Sequence, residues 1–109
     1  MSFEDTEQTQ PEENPEPGRI KTVEAYISGR VQGVGFRACV KRIALGLCIT
    51  GEVMNLEDGS VYIIATGESA IIDKMLSSLY ECPQAYVHEI KTSEIDPMNF
   101  NEFSILRHR

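Results

Sequence analysis

The sequence lacks any apolar run of the roughly 18 residues that a membrane-spanning helix requires, so no helical span is expected. Its acidic start has no apolar stretch, which argues against a secretory leader. Cysteines are few: Cys39, Cys48 and Cys82, an odd number at wide spacing with no C-x-x-C pair. That pattern argues against a disulfide framework and against a zinc site, and it points to a reducing, cytoplasmic setting. Basic residues are in deficit, 10 against 17 acidic ones, for a formal net charge of −7. A broad nucleic-acid surface is therefore not expected.

What is present suits one small soluble domain: 109 residues, of which 41% are hydrophobic. Residues 1–18 stand apart. They hold six acidic residues, no basic one, and three of the five prolines, Pro11, Pro15 and Pro17. With almost nothing apolar to bury, such a segment cannot offset its ordering entropy, and a disordered acidic tail is expected. The remainder, 19–109, is nearly neutral and is expected to form the folded domain.

From Lys21 the pattern becomes regular. Val23, Ala25 and Ile27 alternate with Glu24, Tyr26 and Ser28, which predicts a half-buried strand. Phe36, Val40, Ile43, Ala44 and Leu47 fall at helical spacing, with Gly46 near the end. A second strand is expected over about 49–56, a tight turn at Asp58-Gly59, and a paired strand through Val61, Ile63 and Ala65. A second helix is expected over about 69–80, with Ile71, Ile72, Met75, Leu76 and Leu79 inward, broken at Cys82-Pro83. In the fourth strand, about 86–93, Val87 and Ile90 are out of period-two phase, which predicts a bulge. A short last strand at 102–106 is expected to bury Phe103 and Ile105. The order β-α-β-β-α-β with a final strand predicts an α+β, ferredoxin-like sandwich. Its mostly antiparallel sheet has the order 4-1-3-2, with two helices on one face. The plan itself says little about function.

The informative segment is Gly29-Arg30-Val31-Gln32-Gly33-Val34-Gly35-Phe36-Arg37. Three glycines in seven residues let successive backbone N–H groups converge on one point, a concave nest for an anion. The loop runs into a helix amino terminus, which also favours negative charge. Arg37 stands in that first turn, a poor place for a cation unless an anion joins it, and its planar fork suits phosphate oxygens. An ordinary turn with a solvated arginine is the plain alternative. Gly33-x-Gly35-x-x-Ala38 also fits the dinucleotide pattern, but a hairpin and only two helices do not suit a doubly wound sheet. The P-loop pattern is absent. The echo of an RNA-recognition core in Gly33-Val34-Gly35-Phe36 lacks its basic and aromatic residues.

This nine-residue stretch resembles the signature of the acylphosphatases. So do Gly51-Glu52-Val53-Met54-Asn55 before the Asp58-Gly59 turn, the run Val61–Gly67, and Phe103-Ser104-Ile105. The resemblance spans about 22–106. Glu52 stands where family members often carry an aromatic residue. The resemblance implies hydrolysis of a small acyl phosphate to a carboxylate and inorganic phosphate, with no metal or other cofactor. It implies that Arg37 and the loop Arg30, Val31, Gln32, Gly33, Val34, Gly35 and Phe36 bind phosphate, and that Asn55 positions the attacking water. Inorganic phosphate is then product and inhibitor, and no nucleic-acid or membrane partner is implied.

The chemistry is consistent. A carboxylate leaving group needs no strong acid, and phosphoryl transfer chiefly needs positioning and charge stabilisation. A turn role for Asn55 is its plain alternative. The Arg30 and Gln32 side chains are read as solvated, Cys39 as a small core residue, and His88 and His108 as non-catalytic. A monomer is expected. The alternative for the whole chain is a non-catalytic phosphate-binding module of the same fold.

Overall fold

A computed structural model describes residues 18–107. The acidic extension before Gly18, and His108, lie outside the described residues.

Alternation builds the first strand as expected. In β1 (Ile20–Arg30) Val23, Ala25 and Ile27 are buried while Glu24 and Tyr26 face outward. Then follow α1 (Phe36–Gly46), β2 (Thr50–Asn55), β3 (Val61–Glu68), α2 (Ser69–Ser78), a single 3₁₀ turn (Leu79–Glu81), β4 (Tyr86–Ile95) and β5 (Phe103–Leu106). The sheet order is β4-β1-β3-β2-β5. β1 and β2 each run antiparallel to β3, so they are parallel to one another and α1 is their crossover. β5 adds parallel to β2, with Gly51 opposite Phe103 and Val53 opposite Ile105. This is the ferredoxin-like α+β plan read from the sequence, with a fifth strand on the β2 edge.

The core lies between the helices and one sheet face. Ile27, Val53, Val61 and Ile63 from the strands meet Phe36, Val40 and Ala44 of α1 and Ile72 and Met75 of α2. Ile71 and Leu76 of α2 are half-buried flanks of that face. The bulge sits where the phase slips. Ser28 pairs with Glu89 but Gly29 pairs with Val87, so His88 is the extra residue. A Cβ at Gly29 would collide with the backbone of Tyr86 and His88, so glycine is required there.

Two expectations are corrected. Cys39 of α1 and Cys82 after the 3₁₀ turn are joined as a disulfide, with Cα atoms 6.0 Å apart. Spacing along the chain concealed it, because the α1 and α2 layers bring together residues 43 positions apart. Cys48 alone is free, and exposed. Ile105, expected inside, is 39% exposed, whereas Phe103 is 1% exposed. Alternation assigns a face to a side chain, but on this outermost strand the space beside Ile105 is an open cleft between it and the start of α1 rather than packed core.

Candidate active site

β1 and β2 end at the same rim of the sheet, because they run parallel. Residues 31–35 connect β1 to α1 across that rim. Val31 and Phe36, each 1% exposed, anchor the two ends of this connection in the core. Between them Gly33 (φ 76°) and Gly35 (φ 79°) take the left-handed backbone. A Cβ on either would meet no atom within 4 Å, so the dihedral, rather than space, calls for glycine. Gly35 is also the residue that caps α1, with no side chain capping the helix and no acidic residue in its first turn. The first backbone N–H of α1 to find an intrahelical acceptor is that of Cys39, on Gly35 O at 3.1 Å. Those of Phe36, Arg37 and Ala38 precede it and have no backbone acceptor among the described residues.

A cleft of about 200 Å³ opens there, lined by Val31, Gly33, Gly35, Phe36, Arg37, Ala38 and Ile105. Arg37 is half-buried, and its Nη1 donates to Leu106 O of β5 at 3.3 Å. Among the described residues the ion pairs are Arg19–Glu94 and Lys21–Asp73, so Arg37 has no carboxylate partner. A cation at the positive end of a helix, without a counter-charge, is a strong local attraction for an oxyanion.

Asn55 closes β2 opposite Val61, on the same face as Val53. Its Oδ1 is buried and accepts no hydrogen bond among the described residues. Such an orphan acceptor costs about 1–3 kcal/mol, which is why few are retained in folded proteins. Beyond Asn55 the chain turns tightly. Gly59 N donates to Leu56 O at 3.2 Å and Leu56 N to Ser60 O at 2.9 Å. Asp58 Oδ1 accepts from Ser60 N at 2.9 Å and from Ser60 Oγ at 2.6 Å, and these bonds hold its carboxyl below the ordinary value.

The structure therefore gathers Val31, Gly33, Gly35, Phe36 and Arg37 around one cleft. Val34 packs against the core and Arg30 is exposed. Asn55 does not line the cleft; it stands at the end of β2 on the same rim. Gln32 differs from expectation, for its side chain is not solvated. Its Nε2 reaches Leu56 O at 2.8 Å and Ser60 O at 2.9 Å. Ala38 and Ile105 also line the cleft; sequence reasoning misses them there, although Ile105 belongs to the motif Phe103-Ser104-Ile105. His88 stands exposed at the bulge.

The family model described as Acylphosphatase matches residues 23–105. The chain belongs to the acylphosphatase family. An acylphosphatase of Archaeoglobus fulgidus is 43% identical over 84 residues, covering 76% of this chain and 94% of that relative. The structure of an acylphosphatase from Coxiella burnetii superposes with a TM-score of 0.77 at 35% identity, covering 90% of this chain and 99% of that one. HypF of T. kodakarensis, at 31% identity and a TM-score of 0.72, contains the fold as a small part: the match covers 84% of this chain and 12% of HypF. The enzyme class implied by the resemblance, an acylphosphatase, is borne out: dedicated acylphosphatases match over nearly their full length. Among the described residues no helix is long and apolar enough to cross a membrane.

Proposed function

We propose that the chain hydrolyses the carboxyl–phosphate bond of small acyl phosphates without a metal, Arg37 and the loop amides binding the phosphoryl group and Asn55 orienting the attacking water. The observation that carries this reading is the half-buried Arg37 guanidinium, without a carboxylate partner among the described residues, lining a cleft at the open amino end of α1. Planar donors and free amides match the equatorial oxygens of a phosphoryl group and stabilise the charge that spreads over them in transfer. The Oδ1 of Asn55, without a donor among the described residues, is an acceptor suited to a water proton, and a carboxamide can also donate from its NH2 end. A phosphate oxygen of the substrate takes the proton that the attacking water loses, so no side-chain base is required. Binding aligns water and phosphorus, and such alignment can contribute up to about 7–11 kcal/mol to a reaction.

Benzoyl phosphate turnover tests this. Hydrolysis should proceed undiminished in the presence of a chelator. Arg37→Ala should abolish both turnover and inhibition by inorganic phosphate. Arg37→Lys should fail nearly as badly, because a point charge cannot reproduce the fork. Asn55→Ala should lower kcat by about 10²-fold or more, the scale of a lost positioning group, while phosphate inhibition persists. Near-normal rates in the Arg37 and Asn55 variants would remove their assigned roles. Phosphate binding without any wild-type turnover would leave the non-catalytic module in place of the enzyme.

A monomer and a cytoplasmic setting complete the proposal. The Cys39–Cys82 bridge weighs against the second, since reducing compartments keep such thiols open. Cell fractionation with thiols alkylated at lysis tests it: recovery in the cytoplasmic fraction keeps the assignment, and recovery of bridged protein elsewhere removes it.

A further inference from the structure

We propose that Gln32 is a positioning residue that sets the place of Asn55 relative to the phosphate loop; this rests on the water-orienting role proposed for Asn55. Gln32 lies in the loop between buried Val31 and Gly33, yet its carboxamide leaves the loop and crosses to the β2–β3 turn. Both acceptors there are carbonyl oxygens, Leu56 O and Ser60 O, so the NH2 end must face them and both of its hydrogens are used. Those two carbonyls are also the ones that close the turn, since Leu56 O takes Gly59 N and Ser60 O takes Leu56 N. One amide thus clamps the mouth of the turn from outside.

Leu56 is the residue directly after Asn55, so the clamp fixes the backbone from which the Asn55 side chain projects. At the other end, Gln32 is covalently part of the loop that carries the phosphate-facing amides. The two halves of the proposed chemistry, phosphoryl seat and water holder, come from segments 24 residues apart, and this side chain bridges them directly. Main-chain pairing joins β2 to β3 and to β5, not to the loop. Without the clamp the loop can still seat phosphate, but water and phosphorus lose their registration. The expected signature is a loss of kcat with phosphate affinity retained.

The test is benzoyl phosphate hydrolysis by the full chain carrying Gln32→Met, Asn55→Ala, or both, alongside phosphate inhibition and thermal unfolding. Gln32→Met keeps the length and removes the donors. It should lower kcat by about 10–100-fold, the cost of a misplacement near 1 Å, with phosphate inhibition nearly unchanged. In the Asn55→Ala background it should add no further loss, because the group it positions is gone. A second variant, Gln32→Glu, turns oxygens toward two carbonyls. Its activity should rise relative to wild type as pH falls, when the protonated carboxyl can donate one bond. The proposal is overturned if Asn55→Ala is impaired but Gln32→Met is not, if the Gln32 effect is equal in both backgrounds, or if phosphate inhibition is what is lost. A Gln32→Met protein that does not fold leaves the pH profile of Gln32→Glu to decide, and a profile parallel to wild type overturns it. An unimpaired Asn55→Ala protein is a different result: it removes the water-orienting role itself, and the positioning role with it.

Discussion

Tyr62 on β3 shows how one side chain acquires an altered chemistry from its place on the sheet. Burial, and then the hydrogen bond from its hydroxyl to Glu24 Oε2 at 2.7 Å, push its phenol well above the ordinary value of 10.0. The fold therefore favours the protonated phenol. The stabilisation is fully present below that ordinary value and is lost as pH rises through the higher folded one. In a tyrosinate absorbance titration, one tyrosine should ionise late, and the fold should weaken as it does. Glu24→Gln removes the charge but leaves the burial, so the late step should move only part of the way back. An unshifted step would mean that Glu24 contributes nothing. None of this was legible in the sequence, where Tyr62 is one aromatic on an alternating strand. The partner 38 residues away is set by the β1–β3 register.

At the scale of elements, β5 has only four residues yet secures two parts of the molecule. Phe103 fills the core, and three residues on, Leu106 O receives the Arg37 guanidinium. Phe103→Ala should cost about 3–5 kcal/mol by cavity formation, read as a lower denaturation midpoint at unchanged slope. A much smaller loss would show that the β5 edge is not essential to the core. The strands and helices were legible because each has a long periodic stretch, and the β4 bulge because Val87 and Ile90 break the period. Gln32 was not, because a glutamine in a glycine-rich loop gives no local sign that its amide will reach a turn 24 residues away. Ile105 was misread for a related reason: periodicity reports a face but not whether another element lies over it. Asn55 was singled out by family resemblance rather than by any property of its own segment. The fold adds an acceptor left without a donor among the described residues.

Across the whole molecule, the Cys39–Cys82 bridge ties α1, which carries Arg37, to the segment leading into β4. In the chain-entropy account, closing a loop of this length stabilises the fold by up to about 4 kcal/mol, by restricting the unfolded chain. Reduction, or the double substitution Cys39→Ala and Cys82→Ala, should lower the unfolding midpoint accordingly. Reductant should have no further effect on the substituted protein. An unchanged midpoint on full reduction would mean that the bridge adds little to the packing already around it. The bridge escaped sequence reading because pairing depends on the packing of separated layers, and an odd cysteine count favoured the opposite conclusion.

The order of the strands has one more consequence, for how copies of this chain meet in a crowded solution. The sheet terminates in β5 on one side and β4 on the other. The first offers a rim of four residues. The second is kinked at His88 and studded with Glu89, Lys91 and Glu94. Short, bent and charged rims are poor templates for a foreign strand, so the described sheet is guarded at both borders against growing into the next molecule.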